Sequence, residues 1–371
     1  MAKITDSLCR TAPDLLRQHG IEAVVSDQLE PAGALVAEHL GLPYVTLAAA
    51  HPINREPMVP LPVLSWPYED SRKAAERNRV GAWVADKLTA RHDRVVAEWS
   101  SRWKLRPRRK VVDCLSPLAD ISQLVRGFDF PRRELPPTFH YVGPIRRQSF
   151  ERAARSDGDA RPLVFASLGT LQNRRLSLFR RIARACREID VRLVVSHANG
   201  LSPREAASID ADEVVSWVNQ EEVLARADAI ITHGGLNTVL DALAAGVPLL
   251  CLPLAFEQPG IAARLQRSGA GRILSHRAAS SQIAEALREL LDDPRFGAEA
   301  SRLAAEIRQS GGAAEAAEIV QEAFLSFRRH TLAAPGEVTL AEPGTLRPQQ
   351  LPQPPDEEQA QGRIGAAAPV S

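Results

Sequence analysis

A four-residue apolar run, Ala229-Ile230-Ile231-Thr232, feeds straight into His233-Gly234-Gly235 and then into a helical pattern over 237–245. Gly246-Val247-Pro248 stops that helix, and Leu249-Leu250-Cys251-Leu252 is again continuously apolar. Apolar runs without alternation belong to strands covered on both faces, so this order predicts a parallel sheet built from βαβ units. The strand–glycine–helix junction is also an anion site, because free backbone N–H groups and the positive end of the helix dipole converge there. Gly234 and Gly235 admit a ligand to the backbone, while His233, Asn237 and Thr238 carry donors suited to phosphate oxygens. Alone, the glycine pair reads equally well as an ordinary βαβ turn.

The same logic occurs a second time upstream. Leu163-Val164-Phe165-Ala166 reads as a buried strand ending in Ser167-Leu168-Gly169-Thr170, ahead of a helix over 177–188. Strands over 192–196 and 213–216, a helix over 221–225, a helix over 259–268, a strand over 271–274 and further helices through 327 continue the alternation. The fold class is α/β.

These residues also fall in one register with a known signature. The stretch over 217–258 resembles the nucleotide-sugar signature of the UDP-glycosyltransferase family, which has the GT-B fold of two Rossmann-like domains facing a cleft. By that resemblance Trp217 stacks on uracil and Gln220 meets the base and ribose. His233, Asn237 and Thr238, with the Gly234-Gly235 turn, contact the diphosphate. Asp241 stands where many members have Glu binding the ribose hydroxyls, and its shorter carboxylate keeps the acceptor chemistry. Glu257-Gln258 stands where many have Asp-Gln holding the sugar. Ser167, Gly169 and Thr170 face the donor diphosphate across the cleft. The runs Gln28-Leu29-Glu30-Pro31-Ala32-Gly33 and Asn54-Arg55-Glu56-Pro57 are similar to the bacterial carotenoid-glucosylating branch of the family. So are Ser116-Pro117-Leu118-Ala119 and Phe139-His140-Tyr141-Val142-Gly143-Pro144, and the likeness extends over about 1–327.

The resemblance implies glucose transfer from UDP-glucose to hydroxyl groups of a carotenoid such as zeaxanthin, with inversion. It implies a lipophilic hydroxylated acceptor and no cofactor or metal, the helix dipole neutralising the leaving group. It divides the chain into a partial N-terminal acceptor-binding domain (1–147), a linker (148–161), a UDP-sugar-binding domain (162–330) and a disordered tail (331–371). The tail assignment also follows from composition, since that segment is rich in Pro, Gln, Gly and Glu. Asp27, ending a strand over 21–26, matches the aspartate that orients the family's histidine base. By the resemblance, that histidine belongs to βα units ahead of the position of Ile21, for which residues 1–20 offer no counterpart. His51 matches no family catalytic position and reads as a solvated loop histidine. A donor-binding homologue with little turnover, or action on another lipophilic acceptor, are the competing expectations. A Rossmann dehydrogenase is disfavoured, because no GxGxxG follows a strand.

Composition narrows the partners. A net charge of +1 over 371 residues gives no global nucleic-acid signal. The 4 cysteines form no CxxC pair, which suits a cytoplasmic protein. The basic run over 102–110, beside Trp99 and Trp103, is either a solvated turn or a peripheral contact with the inner membrane face. Residues 80–99 predict an amphipathic packed helix, 48–69 a proline-rich loop, and 111–114, 121–124 and 140–142 short strands. Asp157-Gly158-Asp159 and Asp210-Ala211-Asp212 read as turns and not as a metal motif.

Overall fold

Ten short strands gather into two parallel sheets in the computed structural model, which describes residues 1–146 and 158–333. Asp157, much of the expected linker and nearly all of the expected tail lie outside the described residues. The first sheet holds β1 (Val24–Asp27), β2 (Tyr44–Ala48), β3 (Asp120–Ser122) and β4 (Phe139–Tyr141), in that order. The second holds β5 (Leu163–Ser167), β6 (Arg192–Ser196), β7 (Glu213–Val215), β8 (Ala229–Thr232), β9 (Leu249–Cys251) and β10 (Gly271–Ile273). Its order is β10-β9-β8-β5-β6-β7. The chain therefore runs outward from β5 to β7 and returns on the other side of β5 with β8. That reversal is a topological switch point, where open α/β sheets form a crevice at the carboxyl ends of their strands.

Helices α1 (Ala2–Gln18), α2 (Ala32–His39) and α3 (Arg72–Arg102) accompany the first sheet. The second carries α4 (Leu176–Glu188), α5 (Pro203–Ala206), α6 (Gln220–Leu224), α7 (Leu236–Ala244), α8 (Gln258–Ser268), α9 (Ser280–Asp292) and α10 (Pro294–Gln309). Helix α4 buries Leu178, Phe179, Ile182 and Cys186, the three-and-four spacing that packs one helical face on a sheet. On the opposite face, Val239, Leu240 and Leu243 of α7 share a core with Phe165 and Ile230. Leu124, Val125 and Phe128, which follow β3, belong to that same core and tie the two sheets together. The last helix, α11 (Gly312–Ala333), crosses back onto the first sheet: Ala316 and Ala323 pack with Val45, with Ile121 and with Val142 just beyond β4.

Three expectations need correction. Residues 111–114 form a 3₁₀ turn, because the Asp113 carboxylate accepts the backbone N–H groups of Arg109 and Lys110 and closes the segment on itself. The basic run is a solvated turn only in part: Arg102, Lys104, Arg106 and Arg109 are exposed, but Arg108 is buried and pairs with Glu38, Lys110 pairs with Asp86, and Trp103 stacks on His39 at 4.3 Å. His51 is not solvated but buried at 1% exposure.

Candidate active site

The two glycine turns end adjacent strands. Ser167 of β5 pairs with Thr232 of β8, so Gly169 and His233 emerge side by side at the switch point. The His233 imidazole fills the space between the turns. A Cβ on Gly169 would stand 2.6 Å from its Cε1, and one on Gly235 would stand 2.7 Å from its Nε2. Gly169 and Gly234 hold φ of +69° and +86°, which side-chain-bearing residues rarely adopt. Burial draws the His233 pKa down to about 4, against the opposing pull of the Ser167 backbone. At neutral pH the ring is uncharged and offers one N–H donor. Gly235 caps α7 without a side-chain partner, so the N–H groups of the first turn stay open towards the crevice. Asn237 is exposed and Thr238 half-buried on that turn.

A second cluster gathers around Asp241. Gln220 Nε2 donates to Asp241 Oδ2 at 2.6 Å, bringing together the two residues expected at the ribose. Arg146, which the sequence reading missed, donates from Nε to Asp241 Oδ1 at 2.9 Å. It also donates to the Asn237 side chain at 3.1 Å and to the Asn237 carbonyl at 2.8 Å. Trp217 stands 57% exposed just before α6, with its ring free to be covered by a flat ligand.

The end of the signature has a different posture. Gln258 is buried, and its Oε1 accepts the N–H groups of Leu254 and Ala255 at 2.8 and 2.9 Å, so its carbonyl end holds the loop 253–257. That loop presents Phe256 at φ +57° together with Glu257. Both residues line a cavity of about 380 Å³ between the sheets, walled on the other side by Leu29, His51, Val63 and Ala85. Gln28 fixes this wall, donating to the His51 carbonyl at 3.0 Å and accepting the Ile53 N–H at 3.1 Å. Asp27 turns its carboxylate onto the Leu29 N–H at 2.8 Å. His51 places Nε2 against the Pro62 carbonyl at 2.8 Å, and burial above all, then Arg264, draws its pKa down to about 3. Gln28 and Arg146 act across long sequence separations and leave no local pattern.

The chain matches the family described as "UDP-glucoronosyl and UDP-glucosyl transferase" over residues 11–308. It is 44% identical over 327 residues to the zeaxanthin glucosyltransferase of Pseudescherichia vulneris, covering 87% of this chain and 79% of that protein. The zeaxanthin glucosyltransferase of Pantoea ananas is likewise 44% identical, with 87% and 76% covered. Among solved structures, the calicheamicin glycosyltransferase CalG4 superposes with a TM-score of 0.65 at 24% identity, covering 89% of this chain and 81% of that one. The glycosyltransferase VinC in complex with dTDP gives 0.61 at 20% identity, with 88% and 78% covered. These likenesses show the fold, two Rossmann-like sheets in the GT-B arrangement.

Proposed function

The chain belongs to the UDP-glucoronosyl and UDP-glucosyl transferase family, and from that premise we propose that it transfers glucose from UDP-glucose to a hydroxyl group of a carotenoid such as zeaxanthin. The 44% identity to two zeaxanthin glucosyltransferases, spread over most of both chains, carries this reading. The site supplies its chemistry. Trp217 covers the uracil, Gln220 and Asp241 take the ribose, and the diphosphate lies on the α7 N-terminus between the two glycine turns. Backbone amides, His233, Asn237 and Thr238 meet the charge that grows on UDP as it leaves, in place of a metal ion. The acceptor enters the cavity beside Phe256 and Glu257, where Glu257 meets the sugar hydroxyls and Gln258 keeps the loop in place. The acceptor oxygen attacks the anomeric carbon as the bond to the β-phosphate oxygen breaks, which inverts that carbon. Its proton must go to a general base, for which no residue of this chain is assigned; Asp27 stands where the family orients that base.

Two measurements test this. The protein incubated with UDP-glucose and detergent-dispersed zeaxanthin should yield a carotenoid glucoside and UDP in equal amounts by chromatography. UDP release without any glucoside would remove the carotenoid from the reading. Separately, calorimetry should show UDP binding that Trp217→Ala weakens by roughly 1–3 kcal/mol, the worth of stacking a base on an aromatic ring. Equal affinity in the variant would end the uracil role of Trp217.

A further inference from the structure

Helix α3 packs inward through Ala74, Asn78, His92, Val96 and Trp99, yet its opposite face is not the polar surface that amphipathicity demands. Val80, Trp83, Val84 and Leu88 stand there 60%, 62%, 45% and 81% exposed. At about 3.6 residues per turn these four share one side of the helix. The charges beside them are mainly cationic. Lys87, Arg91 and Arg94 are exposed on the same side, and the Lys87 ammonium sits 5.7 Å from the centre of the Trp83 ring. Among the carboxylates of α3, Asp86 pairs with Arg55 and Lys110, and Asp93 accepts from Thr89 and from the Val111 N–H. Glu76, 3.5 Å from Arg72, and Glu98 are exposed on this side too, one beyond each end of the apolar patch. An outward face of large apolar groups, one of them tryptophan, with three cations beside it is the pattern of a helix lying in a membrane interface.

Position adds the second argument. Leu88 adjoins Thr89 and lies one turn from Ala85, and both of those residues line the 380 Å³ cavity. Val63 and Phe256, 55% and 62% exposed, line it as well, so apolar surface runs from the helix face to the cavity. We propose that this face of α3 seats the protein on an anionic bilayer and that the acceptor passes from the lipid directly into the cavity. The proposal rests on the lipophilic-acceptor reading for the second step only. Apolar groups enter the boundary between headgroups and chains, while Lys87, Arg91 and Arg94 meet the lipid phosphates.

The full chain is floated with vesicles of phosphatidylcholine alone or mixed with phosphatidylglycerol, at low and high salt. The expected result is flotation with the mixed vesicles only, weakened by salt. Lys87→Gln with Arg91→Gln should lower the vesicle affinity about thirtyfold, from the usual contribution of each cation near an anionic surface. Trp83→Asp with Leu88→Asp should abolish flotation while UDP affinity stays unchanged. In transfer assays the aspartate variant should lose activity on zeaxanthin held in vesicles and keep it on zeaxanthin in detergent. Flotation that persists in both variants would overturn the proposal. So would unaltered flotation together with a fall in mass by light scattering, since a second copy of the chain would then be what covers this face. A chain that floats as expected yet glucosylates no carotenoid in either medium would sink the acceptor reading and leave the membrane face standing.

Discussion

Replacing Arg264 with leucine should lower the unfolding free energy by about 3–5 kcal/mol, the usual cost of breaking a buried ion pair by removing one partner. Arg264 is 1% exposed, and its Nε donates to Asp129 Oδ1 at 2.7 Å. Its guanidinium also lies 4.4 Å from the centre of the Phe130 ring and donates to the Gly260 carbonyl at 3.1 Å. Asp129 takes a further hydrogen bond from the Tyr141 hydroxyl at 2.7 Å and faces Arg132 Nε at 3.2 Å. Burial by itself would raise the Asp129 pKa, but Arg264, Arg132 and Tyr141 outweigh it and hold the carboxyl below its ordinary value. A depressed carboxyl stabilises the fold above its unfolded pKa, and that contribution is lost as pH falls through the folded value. The same pair joins α8, which carries Gln258 in its first turn, to the first sheet, so the variant should also loosen the loop that presents Glu257. Urea unfolding of the wild type, Arg264→Leu and the double variant with Asp129→Leu tests this. The double variant should recover part of the loss, because both charges of the Arg264–Asp129 pair are gone and the buried Arg132 keeps Glu56 at 3.6 Å. A single-variant cost under about 1 kcal/mol would mean that water already reaches the pair.

How much of this was legible in the sequence depends on the range of the interaction. Strands β5, β6, β8 and β9 announce themselves because each is built on a short unbroken apolar run. The β8 turn was readable for the same reason, since His233, Gly234 and Gly235 are consecutive and their chemistry is local. The resemblance set Ser167, Gly169 and Thr170 facing the donor diphosphate across the cleft and said nothing of their standing beside the His233 turn; the sheet order is what brings the two turns side by side on adjacent strands. What escaped were contacts between distant segments. Arg146 reaches Asp241 across 95 positions, and Arg264 reaches Asp129 across 135. The prolines of the loop over 48–69 showed only that it forms no regular structure. It is pinned by Gln28 and by Gly260, where a Cβ would come within 1.9 Å of the Pro62 carbonyl. That contact buries His51. The basic run was legible in part: Arg102, Lys104, Arg106 and Arg109 are exposed as its charge suggested, while Glu38, Tyr44 and Asp86, distant in sequence, receive Arg108 and Lys110.

His233→Ala should lower kcat for glucosyl transfer by roughly 10²–10³-fold, the effect of removing one preorganised donor from a developing oxyanion. UDP affinity should fall less, by about tenfold, as one hydrogen bond to a charged group is lost. The split follows from where charge grows: the diphosphate carries more of it as the glycosidic bond breaks than in the bound donor. The imidazole is well built for that task. It is 8% exposed, and burial keeps it uncharged at neutral pH, so it donates a proton-bearing nitrogen without bringing a hydration shell. Its place is set by two residues without side chains, and this gives an independent test. Gly169→Ala would place a methyl 2.6 Å from the His233 ring at a φ of +69°, so the ring must move or the turn must open. That variant should reproduce the kcat loss of His233→Ala, and the two together should cost little more than either alone. Initial rates and calorimetric UDP affinities on the three proteins decide it. An unchanged kcat in His233→Ala, or losses that simply add in the double variant, would show that the ring fills space between the turns and takes no part in the leaving of UDP.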